Sequence, residues 1–403
     1  MRYRRFGKTN LHLSVFSLGT MRYLASEETA CQTVQQALSQ GINHLETAAG
    51  YGCSEEYLGA ALSAGLSVHR SRFHVTTKIC PTEDAAAMER YIDSSLKRLN
   101  LDYIDCLAIH GLNTWEHLAI VRNPTGCMEA VRRALADGRI RHVGFSTHGP
   151  LDLILAAINT DLFEFVNLHY YYFFQRNAPA IELAKHKDMG VFIISPADKG
   201  GQLYTPPETL AQLCLPFSPL ELNYRFLLSD TRIGTLSVGA ANATELEQPL
   251  KYADRDCTLT AAEIAAFDRL ESVIAASLKT DKCSQCYACL PCPENINIPE
   301  VLRLRNLAVG CDMIDFGKYR YAMFENAGHW FPGSKGNRCT DCGECLPRCP
   351  EKLDIPTLLK ILTSDSAVKQ VGGCGIENKV KQRKGRSSVL QKFIQFIVKH
   401  GNL

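Results

Sequence analysis

The 403 residues predict an α/β chain: eight parallel strands closed into a (β/α)8 barrel with helices outside, followed by a small, mainly α-helical module rich in cysteine. Short β-branched runs alternate with amphipathic stretches from the N-terminus to about residue 275. The runs are apolar enough to be buried on both faces, as strands of a parallel sheet are. Eight of the 17 cysteines then crowd into two short runs, 283–292 and 339–349. At about 150 residues per domain, the length suits two or three domains.

The strand-like runs are Val15–Leu18, Ile42–Leu45, Phe73–Thr77, Ile104–Ile109, Val143–Ser146, Phe165–Leu168, Val191–Ser195 and Ile233–Val238. Helical patterns lie between them at Glu27–Ser39, Glu83–Leu99, Met128–Ala136, Leu151–Ala157 and Ile181–Met189. Eight strands in roughly 230 residues fit one closed barrel better than two doubly wound halves. A doubly wound sheet would need a glycine-rich loop after its first strand, and Gly19-Thr20-Met21 offers none. The proline-rich stretch 200–219 reads as the longest irregular connection and as a substrate loop. Residues 261–278 read as a closing helix. The expected domains are 1–278, 279–370 and a basic amphipathic tail over 371–403. In that tail Val389, Leu390, Phe393, Ile394 and Ile397 share one helical face. It is read as a solvated end, with contact to a membrane surface as the other use of such a pattern.

Composition narrows the function classes. Lys plus Arg is 44 and Asp plus Glu 42, so no global field draws the chain to nucleic acid. No apolar run approaches the ~18 residues of a membrane span. The opening residues hold no apolar leader core, and the odd cysteine count lacks a disulfide rhythm. A cytoplasmic, reducing location is expected.

The clustered cysteines form two runs, Cys283-x2-Cys286-x2-Cys289-x2-Cys292-Pro293 and Cys339-x2-Cys342-x2-Cys345-x3-Cys349-Pro350. Three cysteines at spacing three wrap one cluster, and the fourth, before proline, ligates the other cluster in two-cluster ferredoxins. The spacing predicts Cys283, Cys286, Cys289 and Cys349 around one [4Fe–4S] cluster and Cys339, Cys342, Cys345 and Cys292 around a second. Structural zinc also uses paired cysteines, but usually two per knuckle rather than four before a proline, twice. The 46 residues between the runs read as helix, and the module resembles the α-helical dicluster ferredoxin domain. That resemblance implies one-electron transfer, with a purely structural role as the alternative.

A barrel carries its chemistry at the C-terminal ends of its strands. The second predicted strand runs into Glu46 and Tyr51, the third ends at Lys78 and the fourth at His110. Together these suit carbonyl reduction. The Tyr51 hydroxyl can protonate a carbonyl oxygen, Lys78 can lower the tyrosine pKa, Glu46 can hold the lysine charged, and His110 can donate to the same oxygen. His44, His148 and His169 read as satisfied core or loop histidines, and Cys53 as a packed thiol.

Over about residues 1–275 the chain resembles the aldo-keto reductases. The matching pieces are Arg5-Phe6-Gly7-Lys8-Thr9-Asn10-Leu11, the run from Glu46 through Tyr51 to Ser54-Glu55, the Lys78 and His110 strand ends, and Gly144-Phe145-Ser146. The resemblance implies a TIM barrel that binds NADP(H) or NAD(H), with a small-molecule carbonyl or alcohol as substrate. It places Ser146, Thr147 and Asn167 on the nicotinamide amide. Ser195 and Gly200 fall near the pyrophosphate, and Gly239 and Glu245 near the adenosine end. Glu46 stands where the family has aspartate, Ile194 where an aromatic commonly stacks, and Ala241 where an arginine is often found. The last leaves NADP against NAD open. Two functions are weighed. One is a nicotinamide-dependent oxidoreductase whose clusters exchange electrons with a redox partner protein. The other is an electron-transfer protein whose barrel is only a docking scaffold.

Overall fold

The computed structural model describes residues 1–22, 26–64 and 69–360, so the basic stretch expected over 371–403 lies outside the described residues. The chain divides into two compact units, Met1–Tyr204 with Phe217–Glu263, and Thr205–Pro216 with the chain from Ile264 on.

In the first unit a short antiparallel hairpin, β1 (Tyr3–Arg5) and β2 (His12–Ser14), precedes eight parallel strands. These are β3 (Phe16–Gly19), β4 (His44–Glu46), β5 (His74–Ile79), β6 (Ile104–Ile109), β7 (Ile140–Ser146), β8 (Phe165–Leu168), β9 (Gly190–Ile193) and β10 (Thr235–Val238). They close in chain order, with β10 pairing β3, into the barrel that the alternation predicts. Each expected run holds one strand.

The hairpin was not expected, because each of its strands has three residues and only one side chain of Tyr3–Arg5 is even partly covered. Its register becomes intelligible through packing. Phe6 and Leu13 bury against Cys106, Ala108, Phe165 and Phe192 of the barrel. The Phe6 ring takes the space that side chains at positions 190 and 234 would fill. A Cβ on Gly190 or on Gly234 would stand 2.7 Å from it.

A polar belt crosses the barrel next to this apolar cluster. The Ser17 hydroxyl bonds both Thr235 Oγ1 (2.7 Å) and His44 Nδ1 (2.6 Å), and His44 Nε2 bonds Thr76 Oγ1 (2.7 Å). The His44 ring also packs edge-on against Phe192. Burial pushes the His44 pKa down to about 3, so the ring is neutral, a satisfied core histidine. Further along the strands Gly19 pairs in register with Glu46, and Lys78 with Ala108.

In the second unit the main helices are Ala261–Leu278, Ile298–Cys311, Ile314–Tyr321 and Ile355–Leu359. Two of them begin alike. Asn297 and Asp354 each cap a helix that opens Ile-Pro, their side chains accepting from the Glu300 and Thr357 N–H groups at 3.4 Å. The 200–219 connection, expected to be irregular, contains a helix at Glu208–Cys214. Arg269 donates to the Leu213 and Leu215 carbonyls at its end, and Thr209 bonds Asp312 at 3.2 Å. Packing of 205–216 with these helices therefore supplies order that the prolines alone do not suggest. Among the described residues no helix is long and apolar enough to cross a membrane.

Candidate active site and metal centres

Strand ends β4, β5 and β6 bring the four expected catalytic residues together. Lys78, 1% exposed, forms an ion pair with Glu46 and donates to the Thr47 carbonyl at 2.7 Å and to the Tyr51 hydroxyl at 3.2 Å. A lysine buried this deeply keeps its proton only with a counter-charge. Burial lowers its pKa, but Glu46 and Tyr51 more than compensate, and the net shift is upward. Two small neighbours make room. Ala108 sits beside Lys78 in register, and Gly19 sits beside Glu46. A Cβ at Gly19 would lie 3.4 Å from Glu46 Oε2 and 2.5 Å from Ser237 Oγ. The extra methylene of glutamate is thus accommodated where the adjoining strand has no side chain.

Tyr51 follows β4 in a turn closed by its N–H to the Ala48 carbonyl (3.0 Å). Its ring stands edge-on to His110, with centroids 5.7 Å apart, and the Lys78 ammonium lies 4.5 Å from the ring centre. The expectation that Lys78 lowers the tyrosine pKa holds as one of several opposing effects. Burial raises it most, Lys78 pulls it down, Glu46 pushes it back, and the net direction is upward. The phenol is therefore held neutral, with its proton available. Cys53, read as a packed thiol, is instead exposed.

The candidate nicotinamide residues lie on the next strands. Ser146 and Asn167 are register neighbours at the ends of β7 and β8. Ser146 Oγ accepts from the Gly111 N–H at 3.1 Å, which leaves its hydroxyl hydrogen to donate. Thr147 donates to the Leu112 carbonyl at 2.7 Å and is committed to that turn. Asn167 is fully buried, yet neither its amide oxygen nor its nitrogen has a partner. An unpaired buried amide costs about 1–3 kcal/mol. A ligand carboxamide offers the complementary donor and acceptor, so the residues present fit a nicotinamide.

The remaining candidates sit on two other barrel-end loops. Ser195 adopts φ +53°, a strained left-handed backbone, and a Cβ at Gly200 would strike the Pro196 carbonyl at 2.0 Å. Glu245 is held by Arg22 (2.6 and 3.2 Å) and by the Ala241 N–H (3.1 Å), while Arg22 also donates to the Gly239 carbonyl at 2.9 Å. Sequence reasoning missed Arg22. It lies just past the first barrel strand, and nothing in its neighbours announces a pairing 223 residues away.

In the second unit the eight cysteines separate into two sets. Cys283, Cys286, Cys289 and Cys349 line one recess. Cys292, Cys339, Cys342 and Cys345 line another. Among the described residues no three His, Cys, Asp or Glu side chains are set to hold a single metal ion. Four thiols around each recess instead match the donor set of an iron–sulfur cube. Burial pushes Cys289 up to about 12 and also raises Cys283 and Cys345, with the neighbouring thiolates adding to each. Such sulfurs are poor thiolates alone and need a cationic core.

The two sets are halves of an internal repeat that the cysteine spacing by itself does not bring out. Gln285 and Asp341, Tyr287 and Gly343, and Asn295 and Lys352 occupy matching places, and all six have positive φ.

Comparison with known proteins finds matches in both parts of the chain. Residues 282–353 match the 4Fe-4S dicluster domain. L-galactose dehydrogenase of Arabidopsis thaliana is 30% identical over 224 residues, which is 51% of this chain and 68% of that protein. Methylglyoxal reductase DkgA of Escherichia coli is 39% identical over 93 residues, 23% of this chain and 33% of that protein. The solved structure of aldo-keto reductase AKR11C1 from Bacillus halodurans in its holo form has the same fold. It superposes with a TM-score of 0.57 at 23% identity, covering 67% of this chain and 96% of that one. Residues 16–272, well over half the chain, match the Aldo/keto reductase family. With its closed barrel and the dicluster segment that follows, this oxidoreductase belongs to the aldo/keto reductase family.

Proposed function

We propose that the barrel reduces a small-molecule carbonyl, or oxidises the corresponding alcohol, with NADH or NADPH, and that the cysteine module holds two [4Fe–4S] clusters exchanging single electrons with a partner protein. The observation that carries the enzymatic reading is the buried Lys78, which touches Glu46 and Tyr51 at once. A nicotinamide bound at Ser146 and Asn167 supplies the hydride.

The chain's own residues handle the oxygen. Tyr51, kept neutral by burial, donates its hydroxyl proton to the carbonyl oxygen as negative charge grows there. Lys78, 3.2 Å from that hydroxyl, then stabilises the phenolate left behind. Glu46 keeps Lys78 charged and fixes its position. His110, edge-on to Tyr51, orients the carbonyl by donating to the same oxygen. In the reverse direction Tyr51 takes the proton back.

For the module, the two recesses support Cys283, Cys286, Cys289 and Cys349 as one ligand set and Cys292, Cys339, Cys342 and Cys345 as the other. The test is an anaerobic titration of reconstituted protein with NADH and NADPH, following nucleotide fluorescence and the visible iron–sulfur absorption. Saturable binding is expected. Bleaching of the clusters makes the barrel and module one electron path, and binding without bleaching makes them separate. Failure of both nucleotides to bind overturns the reductase reading in favour of a docking scaffold.

A further inference from the structure

Matching places around the two recesses differ in charge. Gln285 and Asp341 each stand two residues after the first cysteine of their run, at φ 57° and 56°. The Gln285 backbone N–H points at Cys283 Sγ, 3.4 Å away, and its side-chain Nε2 is buried with no partner. At the same place in the other half, Asp341 Oδ1 lies 3.9 Å from Cys339 Sγ. The first sulfur thus meets a backbone N–H and the second a carboxylate.

A second asymmetry lies in the helix Ile298–Cys311. Arg305 has a side chain only 2% exposed and donates to the Asp281 carbonyl at 2.9 Å, while the next residue, Asn306, donates to the Cys283 carbonyl at 3.0 Å. The guanidinium is thereby held against the start of the first cysteine run. Its Nε is buried without a partner, and its counter-ion Asp281 is 54% exposed at 3.4 Å. Counting from the Ile-Pro helix starts, the sequence has Leu362 at the corresponding place of the second repeat.

Among the described residues, the charges that line the recesses are less buried. Glu351 borders the first recess, and Glu294 and Arg348 border the second. Lys360 pairs with Asp341, both 57% exposed. A buried charge is screened far less than these. The other buried charges on that helix, Glu300 and Arg303, form an ion pair with each other, which leaves Arg305 as the weakly screened net charge beside the first run.

We infer that Arg305 and Gln285 make the cluster held by Cys283, Cys286, Cys289 and Cys349 the higher-potential member of the pair, so that an electron entering the module comes to rest there. The inference rests on the two-cluster reading above. One-electron reduction adds a negative charge to a cluster without moving a proton or breaking a bond. A buried cation and a nearby N–H donor favour that extra charge, and a carboxylate opposes it. Arg305 and Gln285 are positioning residues that tune the potential and are not ligands.

The experiment is a mediated redox titration of the reconstituted full-length protein, poised with dithionite and followed by electron paramagnetic resonance. Two one-electron steps are expected. Cys342→Ser, which breaks the second ligand set, should remove the lower step and keep the upper. Arg305→Leu should lower the upper step so that its reduced-to-oxidised ratio falls about tenfold at a fixed potential, or about 59 mV. Gln285→Leu, a milder change if loss of the buried arginine impairs folding, should shift it in the same direction. Asp341→Asn should raise the lower step. Loss of the upper step in Cys342→Ser, or an upper step unmoved by both Arg305→Leu and Gln285→Leu, overturns the inference. Wild-type protein with iron for fewer than two clusters overturns the two-cluster reading instead.

Discussion

In the barrel mouth Lys78 finds its counter-charge, Glu46, on the neighbouring strand, and both are buried. In the cysteine module eight sulfurs face two recesses, and burial raises the pKa of several of them. The barrel site is electrostatically complete within the chain, whereas the module depends on positive charge from what it binds. The difference sets what each site tolerates. Removing one partner in the barrel strands a buried charge, while removing one sulfur weakens the hold on a ligand and leaves the protein around it folded.

The largest effect expected is on catalysis. Tyr51→Phe should lower kcat by about 10²–10⁴, measured by carbonyl-dependent nucleotide oxidation, with the iron–sulfur spectrum unchanged. A smaller drop would shift the proton donor to another group. Next comes the ion pair. Glu46→Leu leaves Lys78 buried without its counter-charge and should destabilise the barrel by about 3–5 kcal/mol in denaturant unfolding. Glu46→Asp, which keeps the charge, should recover most of that loss.

The pH dependence is milder. His44 is held at about 3 against an ordinary 6.5. Below 6.5 the unfolded chain takes up a proton that the folded barrel refuses. The contribution of His44 to stability is therefore full above 6.5 and is lost as pH falls toward 3, at about 1.4 kcal/mol per pH unit. His44→Gln should flatten this part of the pH–stability curve. The smallest effect sharpens the comparison directly. Cys342→Ser should cost half the bound iron and leave nucleotide affinity of the barrel unchanged, as measured by fluorescence titration.

Much of this organisation is legible in the sequence because it repeats at short range. Strand and helix patterns recur every few residues, and the two cysteine runs carry their spacing within ten or eleven positions. The catalytic candidates are legible for a related reason. Barrel chemistry gathers at strand ends, so Glu46, Lys78 and His110 announce themselves by where their strands stop.

Other features depend on contacts between distant segments. The hairpin β1–β2 exists because Phe6 fills space beside Gly190 and Gly234. The Arg22–Glu245 pair joins the first and last barrel loops. Tyr51 was expected to be made more acidic by Lys78, but its net direction is upward because burial outweighs the ammonium, and burial is a property of the packed site.

The amino-acid sequence alone determined the barrel, the two cysteine runs and the residue types at the strand ends, since periodicity and spacing are local. Only the tertiary structure decided which buried polar groups lack partners and which charges escape screening. Asn167, Gln285 and Arg305 stand out for that reason. Solvent exclusion and the distance between groups far apart in the chain exist only once the chain has packed, and both govern the strength of every charge and hydrogen bond at the two sites.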